Sequence, residues 1–364
     1  MMVGEPAIAV FPGDGIGKEV MAAATGVIAA LESRFGFKLS LQTNKGGAAY
    51  FRETGEDLEP GAFEAARKAD AILLGAMGLP DVRHADGTEI SPHLRMRAAF
   101  GLFAGVRPVR RLPNTPSPLA DARAETIDLV ILRESTEGLF ASVGKGVVED
   151  DRIARDTMEI SRPVCENLFD FAFDLAMRRA EQGRGHAKVT CVDKANVFVS
   201  MAFFRKIFDE RAALAPDIQA DHAYVDAAAL DLVRKPWSFD VMVMENMFGD
   251  ILSDLGGGLV GGMGMAPCAE VGLEHALFQP AHGSAPDIAG QGKANPTAML
   301  LSTAMMFDWL GARHDEPRFL EAATALEKAI MDAYADGAVQ PFEFGGQTGT
   351  EVFTEAVIAR LTDV

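Results

Sequence analysis

Three aspartates and one lysine are the residues of this chain whose types and spacing most clearly suggest chemistry. Lys194 lies in the stretch VDKANV, Asp226 follows it, and Asp250 and Asp254 lie in the stretch ENMFGDILSD. If the last stretch is helical, Asn246, Asp250 and Asp254 recur every four residues and share one face. Side-chain oxygens gathered in this way suit a hard divalent cation. Residue types alone therefore make a divalent-metal enzyme the leading hypothesis.

Three arginines supply positive charge in a chain whose net charge is −18. Arg97 and Arg107 flank the apolar segment AAFGLFAGV, which we predict to be helical, and Arg133 ends an apolar strand. A planar guanidinium binds a carboxylate through two parallel hydrogen bonds, so three of them suit a di- or tricarboxylic acid. Arginines are also typical of an ordinary charged surface, and composition does not separate the two interpretations.

Two glycine-containing segments are candidates for ligand contact. The motif FPGDGIGKEV, residues 11–20, lies between an expected strand and an expected helix. Its spacing matches neither the dinucleotide fingerprint nor the P-loop, so it predicts a tight turn with or without a ligand. The stretch HGSAPDIAGQGKANP, residues 282–296, is too rich in small and turn residues for a helix or strand. A loop this long is typically functional.

Short apolar runs alternate with longer amphipathic stretches, which predicts an α/β fold. The expected strands are Ala7–Phe11, Ala71–Leu74, Leu129–Leu132, Lys188–Val192 and Val241–Met244. The expected helices are Lys18–Arg34, Arg162–Glu181, Asn246–Leu255, Pro296–Leu310 and Pro317–Tyr334. The glycine-rich run Gly256–Gly264 is a candidate hinge between two bodies.

Length and composition limit the possible classes of protein. The 364 residues favour about two domains, and 48% apolar residues are enough for buried cores. Acidic residues are scattered along the chain, which argues against nucleic-acid binding. The three cysteines lie far apart without metal-ligand spacing, which favours buried thiols in a reducing compartment. We expect a cytoplasmic protein without a membrane span, because no targeting segment or long apolar run is apparent.

Seven motifs together resemble the β-decarboxylating dehydrogenases, which include the 3-isopropylmalate, isocitrate, homoisocitrate, tartrate and D-malate enzymes. The motifs occur in the family's order from Ala7 to about Leu361: PGDGIG, LFAGVRP, RESTEG, VDKANV, YVDAAAL, ENMFGDILSD and HGSAPDIAG. The resemblance implies metal- and NAD-dependent oxidation, usually oxidative decarboxylation, of a 2-hydroxy dicarboxylic acid, in the manner of 3-isopropylmalate dehydrogenase.

The resemblance also implies an isopropylmalate dehydrogenase-like fold with two α/β domains rather than a standard Rossmann domain. Residues 1–104 and 264–364 would form a discontinuous large domain that carries the NAD loop. Residues 105–263 would form a central domain with the metal ligands, the dimer interface and an arm at about Phe140–Ile160. A homodimer with shared active sites is expected, without nucleic acid or membrane partners.

The family's site roles carry over residue by residue. Asp250 and Asp254 from one subunit and Asp226 from the other would bind Mg²⁺ or Mn²⁺, and Lys194 would be the general base. Arg97, Arg107 and Arg133 would hold the substrate carboxylates. An acid at Asp287 favours NAD over NADP, because it accepts from both ribose hydroxyls and repels a 2′-phosphate. The remaining cofactor contacts would be Ile16, Asn196, His282, Gly283, Ser284, Ala285, Ile288 and Asn295.

Two features depart from the family pattern. Most relatives have a tyrosine seven residues after the arginine of RESTEG, where it protonates the enolate, but this chain has Phe140. Either another group gives the proton, or the acid is oxidised without efficient loss of CO₂, or the chain is a non-catalytic ligand-binding relative. His93 and Leu94, beside Arg95, stand where isopropylmalate enzymes present leucines to the C3 substituent. This polarity keeps a tartrate or D-malate dehydrogenase-like activity open.

Overall fold

The computed structural model describes residues 5–362. The strands in this part of the chain are β1 Ala7–Gly13, β2 Ser40–Thr43, β3 Ala71–Ala76, β4 Ala104–Arg110, β5 Asp128–Glu134, β6 Val147–Glu149, β7 Ile153–Arg155, β8 Lys188–Asp193, β9 Gln219–Tyr224, β10 Val241–Met244, β11 Pro267–Val271 and β12 Ala276–Pro280. The α-helices are α1 Gly17–Phe35, α2 Ala48–Thr54, α3 Ala62–Lys68, α4 Pro92–Ala99, α5 Arg162–Glu181, α6 Val199–Ala212, α7 Val225–Arg234, α8 Asn246–Leu259, α9 Thr297–His314, α10 Pro317–Ala335 and α11 Thr350–Thr362. The predicted α/β class is confirmed.

The chain divides into two units. Unit 1 comprises residues 1–100, 112–116 and 261–364, and unit 2 comprises residues 101–111 and 117–260. The sequence had suggested boundaries at 104/105 and 263/264, whereas the division lies at 100/101 and 260/261. The assignment of the NAD loop and the dimer interface to these bodies stays a prediction.

Unit 1 contains strands in the order β2-β1-β3-β12-β11. All neighbouring pairs in it are parallel except β11 and β12, which form an antiparallel hairpin. Continuous apolar runs make β3 buried along its whole length, as expected of a parallel strand covered on both faces. Helices α9, α10 and α11 pack with one another and with α1.

Unit 2 contains strands in the order β4-β5-β10-β8-β9. β4 runs antiparallel to β5, and β5, β10, β8 and β9 are successively parallel. The carboxyl ends of these four parallel strands therefore meet at one edge of the sheet. Helix α8 packs against β4 and β5, α7 packs against α8, and α5 packs against α6. β6 and β7 form a separate exposed hairpin.

Sequence-based boundaries were correct to within a few residues for most elements, but one segment was wrong. AAFGLFAGV is not a helix between Arg97 and Arg107, because α4 ends at Ala99 and β4 begins at Ala104. Gly101 between them has φ = 59°, the left-handed conformation that commonly follows a helix end. The expected hinge also differs, since α8 continues to Leu259 through the first glycines of that run.

Two further expectations have structural outcomes. Cys165, Cys191 and Cys268 are buried free thiols, as predicted. Within residues 5–362, no helix has both the length and the apolar character needed to cross a bilayer.

Candidate active site

The edge at which the parallel strands of unit 2 end collects most of the predicted catalytic residues. Arg133 lies near the end of β5, and Asn246 begins α8 directly after β10. Lys194 follows β8, and Asp226 lies in the first turn of α7 after β9. The βα topology therefore explains why motifs far apart in the sequence lie along one edge.

Helix α8 is the element that presents the two predicted metal ligands. It is capped by the Glu245 side chain, which accepts from the amides of Met247 and Phe248, and burial raises the pKa of this carboxyl. Its approach to the sheet needs small residues. A Cβ on Gly249 would lie 2.5 Å from Arg133 Cβ, so this glycine lets the helix sit directly over Arg133. Asp250 and Asp254 follow on α8, one helical turn apart, as predicted.

Arg133 organises the start of this helix. Its Nε and Nη2 donate to Asn246 Oδ1 at 2.9 and 2.7 Å, and its Nη1 pairs with Asp250. The Asn246 amide in turn donates to the Glu137 carbonyl at 3.0 Å. The Asn246 oxygen, which the sequence offered as a possible cation ligand, thus accepts from Arg133 in this structure, and its role toward a cation stays a prediction.

Arg107 is the second cation beside these carboxylates. It lies on β4, two residues after Gly105, which pairs with Arg133 on β5. Since alternate residues share a face of a sheet, Arg107 and Arg133 point to the face that α8 covers. Burial raises the pKa of Asp254 and the charge of Asp250 raises it further, while Arg107 and Arg133 oppose this. Two carboxylates that repel each other in a partly buried place form a donor set that a divalent cation would stabilise.

Lys194 and Asp226 form a separate pair. Lys194 Nζ donates to Asp226 Oδ1, and this hydrogen bond lowers the pKa of Asp226. Lys194 Nζ also lies 5.8 Å from the centre of the Tyr224 ring. Arg205 lies 5.1 Å from that ring and is held by two hydrogen bonds to the buried Asp193. The lysine is thus fixed by its neighbours rather than extended into solvent.

Asp226 does not join Asp250 and Asp254 within one chain. Among residues 5–362, no three histidine, cysteine or acidic side chains come together in the arrangement of a metal site. The side chain of Asp226 is 68% exposed and that of Asp250 is 51% exposed. The three aspartates that the family resemblance assigns to the cation are thus not gathered within the described part of one chain.

Phe140 lies next to the predicted substrate arginine. It belongs to a short 3₁₀ helix, Leu139–Ser142, and its ring centre is 5.0 Å from Arg133 Cζ. The ring thus faces the guanidinium by a cation–π contact. No hydroxyl is present there to give a proton.

Glu134 is a buried acid of this region that sequence reasoning missed. Its carboxylate accepts from the Thr136 amide and hydroxyl and from the Glu137 amide, at 2.6 to 2.8 Å. Burial nevertheless raises its pKa to about 7. An acidic residue directly after Arg133 in the RESTEG motif was the signal that could have identified it.

The predicted cofactor loop lies in unit 1 and packs against the PGDGIG turn. The Ile16 amide donates to the Ser284 carbonyl at 2.8 Å. A Cβ on Gly15, whose φ is 52°, would lie 2.0 Å from that oxygen, so the close approach requires glycine. Asp14, at the centre of the turn, accepts from the amides of Ala48, Ala49 and Gly78. Its role is therefore to join β1, α2 and the segment after β3.

His282 and Asp287, the two residues of this loop expected to contact adenosine, differ in burial. His282 Nδ1 lies 2.8 Å from the Gly283 carbonyl, and its buried Nε2 has no hydrogen-bond partner among the described residues. Burial lowers the pKa of this histidine, so its ring is neutral near pH 7. Asp287 is exposed and Ile288 is half-buried. The loop thus contains both a buried nitrogen without a hydrogen-bond partner among the described residues and an exposed carboxylate.

Asn295 and Asn196 were both expected to contact the cofactor, and the structure places them in different surroundings. Asn295 Oδ1 accepts from the Thr297 amide and hydroxyl, and its Nδ2 donates to Glu343 at 3.0 Å. These hydrogen bonds make Asn295 a cap for the start of α9. Asn196 is exposed in unit 2, beside Lys194. Gly283 and Ala285 lie in the loop as expected, with Ala285 at a positive φ of 35°.

The residues predicted to face the substrate's C3 substituent lie on α4 in unit 1. Arg97 follows His93 by four residues and Leu94 by three, so each of the two lies next to Arg97 on the surface of this helix. Arg95 is exposed and pairs with Asp57 at 3.0 Å. Arg97 is buried, and its Nη2 lies 2.9 Å from Glu270 Oε1. Glu270, in the apolar strand β11, was not identified from the sequence, although a charge within CAEV was a visible signal.

Comparison with known proteins shows the family of this chain. The family model described as isocitrate/isopropylmalate dehydrogenase matches residues 7–359. The 3-isopropylmalate/3-methylmalate dehydrogenase of Methanocaldococcus jannaschii is 39% identical over 98% of this chain and 99% of its own. The isocitrate dehydrogenase structure from Methylococcus capsulatus aligns with a TM-score of 0.84 and 35% identity, covering 98% of this chain and 99% of that one. The apo structure of a β-decarboxylating dehydrogenase from Thermococcus kodakarensis aligns with a TM-score of 0.77 and 35% identity. The alignment covers 98% of this chain and 96% of that one.

Proposed function

Because the chain belongs to the isocitrate/isopropylmalate dehydrogenase family, and is therefore an oxidoreductase, we propose that it oxidises a 2-hydroxy dicarboxylic acid with NAD. The substrate class, Mg²⁺ or Mn²⁺, NAD and loss of CO₂ belong to this proposal. The observation that carries it is the pair Asp250 and Asp254 on α8, with Arg107 and Arg133 on the strands beneath. This arrangement combines ligands for a divalent cation with cations for a carboxylate.

Asp250 and Asp254 would hold the cation, with Asp226 as a third ligand. When bound, a divalent cation supplies positive charge next to the substrate oxygen that becomes negative during oxidation and decarboxylation. Binding at Asp250 would also replace its contact with Arg133. The Arg133 guanidinium, still oriented by Asn246, would then donate to a substrate carboxylate.

Lys194 would accept the proton of the 2-hydroxyl. Its Nζ is already placed by Asp226 and by the ring of Tyr224, so little orientational freedom is lost when substrate binds. Asp226 has two roles in this proposal, as the hydrogen-bond partner of the lysine and as the third cation ligand. The proton would thus leave the 2-hydroxyl oxygen for Lys194 while the hydride leaves C2 for NAD.

A homodimer would bring Lys194 and Asp226 of one copy to Asp250 and Asp254 of the other. Exposed apolar side chains adjoin both sets and support this proposal. Leu230 and Val233 lie on α7 one and two turns after Asp226, and Ile251 follows Asp250 and is 62% exposed. Val197, Phe198 and Val199 are also exposed just after Lys194. Several exposed apolar side chains close in sequence to functional residues are what an interface between two copies would cover.

NAD would bind at the loop of residues 282–296 in unit 1. The exposed Asp287 would accept from the ribose hydroxyls, and the neutral His282 would contact the adenine. A 2′-phosphate beside the Asp287 carboxylate would bring two anions together, so NADP is disfavoured.

Phe140 favours a second candidate function, oxidation without efficient decarboxylation. The phenyl ring beside Arg133 has no proton to give to the enolate that follows loss of CO₂. General acid catalysis by one group typically contributes about 10²- to 10⁴-fold. An enolate that is not protonated can recapture CO₂ and restore the keto acid, which would then leave the enzyme with its β-carboxylate attached, unless Lys194 or a water molecule gives the proton.

The metal assignment is tested by Mn²⁺ binding rather than by activity alone. We expect Asp250→Asn to weaken Mn²⁺ binding at least tenfold, because one of the two carboxylates on α8 is lost. Titration calorimetry of the dimeric protein with Mn²⁺ and substrate measures this, and Asp174→Asn on the exposed face of α5 is the matched control. Unchanged Mn²⁺ affinity in Asp250→Asn would contradict the assignment.

A further inference from the structure

Helix α1 contacts the second half of the proposed cofactor loop, residues 282–296, through Glu19. This glutamate lies in the first turn of α1, and its Oε1 accepts a hydrogen bond from the Gly290 amide. Its Oε2 is buried and has no hydrogen-bond partner among residues 5–362. Because a carboxylate accepts from an amide more strongly than a neutral oxygen does, the contact with Glu19 fixes the loop backbone at Gly290.

Helix α11 holds the same loop through its first residue, Thr350. The Thr350 amide donates to the Gly292 carbonyl at 2.9 Å, and the Thr350 hydroxyl donates to the Ala294 carbonyl at 2.6 Å. The first amides of a helix have no acceptor within their own helix, so the loop satisfies one of them. Thr350 is only 6% exposed. This residue therefore fastens the end of the loop against the interior of unit 1.

The contacts with Glu19 and Thr350 matter because the backbone of the loop has little regular structure. Residues 286–292 form turns rather than a helix or a strand. Gly290 and Gly292 have φ angles of 76° and 65°, and glycine loses more conformational freedom on ordering than any other residue. The two glycines that would be hardest to order are thus the ones bonded to α1 and α11.

Asp287, the residue expected to accept from the ribose, is linked to these two glycines. Its carbonyl accepts from the Gln291 side chain at 2.8 Å, and Gln291 lies between Gly290 and Gly292. A displacement of the two glycines would therefore also move Asp287.

We propose that Glu19 and Thr350 are positioning residues that hold the cofactor loop in its NAD-binding conformation before NAD is present. This inference rests on the proposed function, which includes NAD at this loop. When the loop is already ordered, NAD binding does not have to order it. Loss of either residue would therefore weaken NAD binding without slowing the chemical step.

Trypsin reports the state of the loop without NAD. Lys293 is exposed, whereas Ala294, on the other side of the peptide bond, is 1% exposed and its carbonyl is bonded to Thr350. Cleavage after Lys293 thus requires the loop to open. We expect cleavage at this bond, followed by mass spectrometry, to be about five- to tenfold faster in Glu19→Ala and in Thr350→Val, the scale of one lost hydrogen bond.

Titration calorimetry with NAD and steady-state kinetics measure the effect on the cofactor. In both variants we expect the Kd and KM for NAD to rise about five- to tenfold, with kcat within about twofold of the wild type. Thr350→Ser keeps the hydroxyl and Glu19→Gln keeps an oxygen acceptor, so both should retain most of the wild-type affinity. Thr324→Val is the matched control, because it removes an exposed hydroxyl that donates to a backbone carbonyl on α10.

The outcomes separate this inference from the proposed function. If the wild type reduces NAD, but folded Glu19→Ala and Thr350→Val show unchanged cleavage at Lys293 or unchanged NAD affinity, only the inference is overturned. If the wild type neither binds nor reduces NAD, the proposed function is wrong and the inference falls with it. If one of the two variants does not fold, the other decides, because the two contacts come from different helices.

Discussion

Phe140 is the residue that most directly separates oxidation from decarboxylation. A hydroxyl on its ring would lie beside Arg133, near the proposed substrate carboxylates. We predict that Phe140→Tyr increases CO₂ release per NADH formed, with the rate of release rising up to about 10²-fold, because the enolate gains a proton donor. Phe203→Tyr, on the ring that contacts Arg162, is the matched control. If the wild type already releases one CO₂ per NADH and the variant matches it, another group is the donor.

Asp287 is the residue on which the choice of NAD depends. Its exposed carboxylate lies in the same loop as the buried, neutral His282. We predict that Asp287→Arg raises the KM for NAD at least tenfold, the scale expected when a hydrogen bond to a charged group is lost, and improves the use of NADP. Initial-rate kinetics with both cofactors measure this, with Glu355→Arg on the exposed face of α11 as control. An unchanged KM for NAD would refute the ribose role.

The residue types in the motifs identified good candidates for the site, but they did not reveal which residues these candidates contact. Asp250, Asp254 and Arg133 were predicted from the sequence, yet the use of the Asn246 oxygen by Arg133 was not. The same holds for Arg97, whose buried partner Glu270 is distant in the chain. Partners of this kind depend on which strands and helices are adjacent, which the order of residues in one motif does not reveal.

Elements with a clear apolar pattern were predicted almost to the residue, and α5 is an example. The helix α8 was predicted to end at Leu255 because glycines follow, but it continues to Leu259. Packing explains this, since a Cβ on Gly256 would lie 2.6 Å from Val109, so the glycine allows close contact with β4. Tertiary packing here overrides the low helix propensity of glycine.

Strand β5 ends at the buried Glu134, whose titration should appear in the stability of unit 2. Its pKa is raised to about 7 in the folded protein, so the folded state keeps a proton that the unfolded state loses. Glu134 therefore contributes stability below about pH 4.5 that is lost as the pH rises through 7.

We predict that the free energy of unfolding of the wild type falls relative to that of Glu134→Gln by about 3 kcal/mol between pH 4.5 and 8, an order-of-magnitude value. Urea denaturation at several pH values measures the difference. Glu181→Gln, at the exposed end of α5, should stay parallel to the wild type. A constant separation between the Glu134→Gln and wild-type curves would show that Glu134 does not titrate in this range.

At the scale of the whole molecule, the account requires two chains for each active site. Lys194→Met and Asp250→Asn should each abolish activity as homodimers. When the two variants are co-expressed, we predict that the heterodimer has about half the wild-type activity, because one of its two sites combines an intact Asp250 with an intact Lys194.

The reciprocal combination provides the control. A chain with both substitutions, paired with a wild-type chain, should form an inactive heterodimer, because each site then contains one altered residue. Differently tagged subunits allow both heterodimers to be purified and assayed. Activity in the second heterodimer, and none in the first, would mean that each site lies within a single chain.

The central claim is that this chain oxidises a 2-hydroxy dicarboxylic acid with NAD and a divalent cation. The most direct measurement follows NADH formation with Mn²⁺ across 3-isopropylmalate, D-malate, the three tartrates, isocitrate and homoisocitrate, with CO₂ quantified in the same samples. For at least one dicarboxylate, the account predicts NADH formation that EDTA abolishes and Mn²⁺ restores, and the CO₂ released per NADH shows whether decarboxylation accompanies the oxidation. Absence of NADH formation with every acid would contradict it.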